Sequence, residues 1–167
     1  MEKKYRLTDE TMKLGSITLH RIEAIRDFGN VKAGDKGGWV ESETNLSQDG
    51  NCWVDGNALV CDNARVYGNA QVYDNAKIYS NALVFKNAQV YGNAQVCINA
   101  KVSGNAQVYE DAQVFGDARV YGKARICGKT YVHNDAKVYG NAIVCGNACV
   151  YGDTKISGST VYKLARA

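Results

Sequence analysis

An aliphatic residue stands at every sixth position from Val54 to Ile156, eighteen times without an insertion. Four residues after each comes a small one, Ala at fifteen of the eighteen positions and Thr at the other three, from Ala58 to Thr160. The two slots between them are mostly Gly followed by Asn or Asp, as in Gly68-Asn69, Gly92-Asn93 and Gly140-Asn141. A period of six fits neither a 3.6-residue helix nor a long flat strand, but it fits a short strand followed by a tight corner. Side chains alternate along a strand, so a Val that points inward takes the Ala two residues before it inward as well, and the flanking residues point out. Identical units related by one operation coil into a solenoid rather than folding back as hairpins.

The composition carries the same turn. The 167-residue chain has 17 Gly and no Pro. Gly with Asn or Asp tolerates left-handed backbone, whereas proline fixes φ at the wrong value and removes a ladder N–H. The reading is therefore all-β, with residues 51–162 as the repeat, 1–50 as an N-terminal β cap and first irregular coil, and 163–167 as a tail. Within the cap, Tyr5–Leu14 and Ile17–Phe28 read as two strands across a turn near Gly15-Ser16. Such a segment would cap the open end of the stack, as solenoids require.

The V-Y-G-N-A-Q hexad resembles the hexapeptide repeat of left-handed parallel β-helices, seen in bacterial acyltransferases. The resemblance implies three hexads per triangular coil, hence about six coils and roughly 29 Å of stack at about 4.8 Å per coil. It also implies the left hand, since the general crossover rule favours the right. A second resemblance runs through Leu19-His20-Arg21-Ile22-Glu23-Ala24, Gly34-Asp35-Lys36-Gly37-Gly38-Trp39-Val40-Glu41-Ser42-Glu43, Asn45-Leu46-Ser47 and Cys52-Trp53-Val54. This stretch is similar to the N-terminal region of small phage and prophage proteins, in which G-D-x-G-G-W-[VI]-E leads into G-N-A-x-V-Y repeats. It implies a phage context more than a mechanism.

Eighteen residues per coil arrange the outward residues in columns. One face carries Trp53/Asp55, Gln71/Tyr73, Gln89/Tyr91, Gln107/Tyr109, Arg125/Cys127 and Ile143/Cys145, uncharged at its centre. A second carries Leu59/Cys61, Lys77/Tyr79, Gln95/Cys97, Gln113/Phe115, Tyr131/His133 and Cys149/Tyr151. On the third, Arg65/Tyr67, Leu83/Phe85, Lys101/Ser103, Arg119/Tyr121, Lys137/Tyr139 and Lys155/Ser157 place a cation in five of six coils. Aromatics without charge suit a subunit interface, and hexapeptide β-helices are typically homotrimers. Tyr73, Gln89, Tyr91, Gln107 and Tyr109 are the expected trimer contacts. Cations beside rings suit a phosphate joined to a base, so Arg65, Tyr67, Lys101, Arg119, Tyr121, Lys137 and Tyr139 are the expected ligand residues. Ladders of like side chains and a solvated cationic face are the plainer explanations of the same columns.

Three function classes follow. Acyl transfer, implied by the repeat resemblance, needs a histidine base and a loop covering the cofactor arm; the chain has only His20 and His133 and no interrupted hexad. Two histidines also argue against a three-histidine zinc centre, and the six cysteines contain no C-x-x-C pair, so neither metal nor cofactor is expected. A non-catalytic binder fits better: a counter-defence protein that sequesters a small anionic, nucleotide-type immune signal of the host in inter-subunit clefts. The third class is a protein-interaction module directed at a host protein. A net charge of +3, made of −1 over residues 1–50 (8 Lys/Arg, 9 Asp/Glu) and +4 over 51–167 (12 and 8), is too weak to imply long nucleic acid. With no run of 18 apolar residues and no apolar stretch after the charged start, the expected location is the cytoplasm of the bacterial host, away from membranes.

Overall fold

The computed structural model describes residues 2–159 and, as backbone, the strand Val161–Leu164. Thr160 of the last hexad and residues 165–167 of the expected tail lie outside the described residues. The chain is a parallel β-solenoid of about seven turns. Each hexad contributes a two-residue strand, with the regular exception of Ile143–Gly146, and strands three hexads apart pair in parallel. Gln89 lies opposite Gln71 and Gln107, and Lys101 opposite Leu83 and Arg119. The columns written from the period of eighteen are thus the three sheets. Every repeat Val or Ile and every repeat Ala among the described residues is buried, most with no exposure at all. At Thr130 the buried hydroxyl donates to the Cys127 carbonyl at 2.7 Å, which satisfies the polar group that replaces Ala.

The corners explain the missing proline. All eighteen residues in the slot two after the aliphatic position have positive φ, from 55° at Asp62 to 80° at Gly146. Eleven are glycines. The other seven, Asp62, Asp74, Ser80, Lys86, Ile98, Glu110 and Asn134, hold left-handed backbone with a Cβ present. The acids recover part of that strain by accepting the corner N–H of the next coil: Asp62 from Ser80 at 2.9 Å, Asp74 from Gly92 at 3.1 Å and Glu110 from Gly128 at 2.5 Å. Ile98 is β-branched, 44% exposed and without a polar group to do the same. Left-handed backbone costs an ordinary residue about 1–2 kcal/mol. Ile98→Gly is therefore expected to stabilise the protein by about 1 kcal/mol after the added freedom of the unfolded chain is counted. An unchanged or lower urea midpoint would contradict this.

The next slot forms asparagine ladders along the three edges. Asn57, Asn75 and Asn93 each donate an amide N–H to the residue one coil on, ending at Asp111; Asn63, Asn81 and Asn99 do the same and end at Asp117. An amide both donates and accepts, so it can pass the chain along, whereas a carboxylate only accepts and closes it.

The N-terminal segment supplies the end cap. Strand β1 (Tyr5–Leu14) pairs antiparallel with β2 (Ile17–Ala24), β2 with β3 (Lys36–Val40), and β3 joins the second face in parallel with Leu59–Val60. β2 stops at Ala24, short of the expected Phe28, which instead bridges to Val31. The segment also covers residues that the columns place outside. Trp53 is buried against Tyr5 and Phe28, with ring centroids 6.4 and 5.4 Å away. Leu59 and Cys61 are buried with Leu19 and Trp39, and burial pushes the Cys61 thiol up to about 11.

Along the coils, the N–H of the strand residue before each repeat Val or Ile donates to a carbonyl of the following coil, as Trp53 does to Ala70 and Leu59 to Ala76. Carbonyls of the first turn therefore have no preceding coil to serve them. Lys4, fully buried, donates to the carbonyls of Asp49, Gly50 and Cys52 at 3.3, 3.1 and 2.9 Å, and lies 3.2 Å from Cys52 Sγ. Tyr5 serves Leu46 at 2.6 Å through its hydroxyl. Burial lowers the pKa of Lys4 and raises those of Tyr5 and Cys52. Among the described residues no helix is long and apolar enough to cross a membrane.

Candidate functional site

The cationic face is built by the strand slot just before each inward Val. Register puts Lys101, Arg119, Lys137 and Lys155 directly beside one another on successive strands. Strands lie about 4.8 Å apart, and like charges opposed at that spacing destabilise a sheet. The ion pairs found among the described residues, Lys3–Glu43, Arg6–Glu23, Lys32–Asp27 and Lys36–Glu10, all lie in the N-terminal segment. The four stacked cations thus have no carboxylate partner among the described residues.

Two cavities open on this face and divide six of the seven expected ligand residues. One, of about 280 Å³, is lined by Phe85, Lys101, Ser103, Arg119, Tyr121 and Lys137. The other, of about 420 Å³, is lined by Thr44, Ser47, Arg65, Val66, Tyr67 and Leu83, where the irregular first coil meets the repeats. Tyr139 lines neither; it stacks on Tyr121 with centroids 5.0 Å apart and planes 2° from parallel. Tyr67 stacks on Phe85 at 4.9 Å and 5°. The smaller cavity unites three cations with two rings and so has the better chemistry for a phosphate joined to a base. Sequence reasoning missed Phe85 and Ser103 as members of it, although both stood in the written column.

The expected trimer residues form a separate feature on another face. Tyr73, Tyr91 and Tyr109 stack at 4.8 and 5.0 Å within 3° of parallel, and Gln107 donates to Gln89 at 3.2 Å. Arg125 closes the stack, 5.8 Å from the Tyr109 centroid and 3.3 Å from its hydroxyl. Partial burial pushes the Tyr109 hydroxyl up to about 12. The rings cover one another's faces and present their edges.

His133 and Cys149 meet on the remaining face, Nε2 to Sγ at 3.4 Å, with the ring between Phe115 and Tyr151. His20 sits in the cap, its Nδ1 3.4 Å from the Thr8 carbonyl. Among the described residues no group of three or more His, Cys, Asp or Glu could hold a metal ion.

Comparison with known proteins finds a repeat-family match in the coils. The YdcK β-solenoid repeat matches residues 58–74 and 112–128, each a stretch of about one turn. The repeat is similar to that of YdcK. The protein named uncharacterized acetyltransferase YdcK, from Escherichia coli (strain K12), is 42% identical over 60 residues. That match covers 31% of this chain, and the chain spans 18% of the length of YdcK. The YdcK likeness thus supports a repeat solenoid.

Proposed function

We propose that this protein is a non-catalytic binder that sequesters a small phosphate-bearing, nucleotide-type ligand on its cationic face, as a phage protein countering a host immune signal. The observation that carries the reading is the register of Lys101, Arg119 and Lys137 around one cavity walled by Phe85 and Tyr121. A bound anion would relieve the repulsion between stacked cations, so ligand binding and fold stability favour the same state. The phage context rests on the G-D-K-G-G-W-V-E segment at residues 34–41 and its passage into the repeats. We further place a homotrimer contact at Tyr73, Gln89, Tyr91, Gln107 and Tyr109, where edge-on rings and amides lack charge. A host protein is the alternative occupant of the flat faces.

Acetyl transfer is the second reading, favoured by the likeness to YdcK, a protein named as an uncharacterized acetyltransferase. Coenzyme A carries a nucleotide end that the same face could hold. Titration of the protein with cyclic di- and trinucleotides, ADP-ribose and acetyl-coenzyme A, with light scattering on the same sample, tests these readings together. The binder reading expects heat with a signal nucleotide and a trimeric mass. Heat with acetyl-coenzyme A alone would favour the second reading; no heat with any would remove both, and a monomeric mass would remove the trimer.

A further inference from the structure

The outer column on the cationic face runs Tyr67, Phe85, Ser103, Tyr121, Tyr139, Ser157, and Ser103 is the rung without a ring that has rings on both sides. On each side of the gap the rings stack at 4.9 and 5.0 Å, within 5° of parallel. Lys101 pairs with Leu83 on one strand and Arg119 on the next, so Ser103 occupies the rung between Phe85 and Tyr121. Those two rings are two coils apart, about 9.6 Å. A planar ring placed midway would sit about 4.8 Å from each, the spacing of the protein's own rungs. The cavity at this point is lined by both rings, by Ser103 and by Lys101, Arg119 and Lys137. Its volume of about 280 Å³ is just below the range of drug-sized ligand pockets, roughly 300–1,000 Å³, which suits one base and its phosphates.

From this we infer that the Ser103 gap is a base-intercalation slot: one heteroaromatic ring of the ligand completes the ladder between Phe85 and Tyr121 while its phosphates lie on Lys101, Arg119 and Lys137. The inference rests on the anion-binding reading of this face and names its ligand more closely, as a nucleotide that can offer a single free base per chain. The Ser103 hydroxyl, which can donate or accept, faces the edge of such a ring. A second gap in a ring column sets the comparison. Cys97 lies between Tyr79 and Phe115 on another face, where the strand residues alongside are Lys77, Gln95 and Gln113, one cation in place of the three that line the Ser103 gap.

The experiment compares ADP with inorganic pyrophosphate by calorimetry at low salt. Stacking contributes enough per base for ADP to bind at least ~10-fold more tightly than pyrophosphate. Ser103→Tyr fills the empty rung and is expected to bring that ratio to about one, whereas Cys97→Tyr, which fills the other gap, leaves it unchanged. If Ser103→Tyr does not fold, Phe85→Leu removes one wall of the slot and should lower the ratio likewise. Equal binding of the two probes to the unmodified protein would overturn the slot and leave the anion reading standing. Binding of neither would overturn both. An undiminished ratio in Ser103→Tyr or in Phe85→Leu would overturn the slot alone.

Discussion

Reversing two charges, Arg119→Glu with Lys137→Glu, is expected to weaken nucleotide binding at least ~100-fold while leaving the protein as stable as before or more so. Both side chains point outward from strands of the cationic face and line the smaller cavity. Hydrogen bonds to a charged group contribute about 1.5–3 kcal/mol each, and each ~1.4 kcal/mol is a factor of ten. Loss of two such contacts, with two new repulsions, sets the size of the effect. The stability half of the expectation comes from register. The column Lys101, Arg119, Lys137, Lys155 becomes Lys, Glu, Glu, Lys, which replaces two of its three like-charge contacts by opposite ones and keeps one repulsion between the new carboxylates. A variant that loses affinity only because it unfolds would lose its thermal midpoint too. Unchanged affinity for every nucleotide that binds the parent protein would remove the cationic face as the site.

The second large effect concerns the end of the stack. Lys4→Met keeps the length and apolar stem of the side chain but removes the three N–H donors that serve Asp49, Gly50 and Cys52. A buried acceptor without a partner costs about 1–3 kcal/mol. Part of that cost is met by water reaching the rim, so the expected loss is about 3–4 kcal/mol. Burial already lowers the pKa of Lys4, which marks how much hydration the ammonium gives up in exchange for those carbonyls. The measurement is a denaturant midpoint, joined to amide exchange across β1 and β2. Faster exchange there, with the coils little changed, is the expected pattern, because solenoid contacts are nearest-neighbour and damage at one end spreads poorly. A loss below about 1 kcal/mol would show that the carbonyls do not depend on Lys4.

The tyrosine stack and the cationic ladder were legible before any coordinates because each depends on neighbours eighteen residues away. Once three hexads make a coil, the residue opposite Gln89 has to be Gln107, and the residue opposite Arg119 has to be Lys137. The burial of Trp53, Leu59 and Cys61 was not legible. Their slots are outward by alternation, and only the aperiodic N-terminal segment folds over them. The same holds for Lys4 and Tyr5, whose partners lie 38 to 48 residues away with no repeat to set the distance. The division of the expected ligand residues between two cavities followed from the irregular turn at Thr44 and Ser47, which no hexad foretells.

What the sequence by itself determined is the coil: inward Val and Ala, left-handed corners that exclude proline, and three faces in fixed register. Periodicity decides these because backbone hydrogen bonds between identical turns admit one offset. What only the tertiary structure decided is which outward residues remain outward and where the gaps in a ladder become space. Both depend on side-chain volume and on contacts across the chain. Ser103 is one letter in a column until the rings of Phe85 and Tyr121 stand on either side of it.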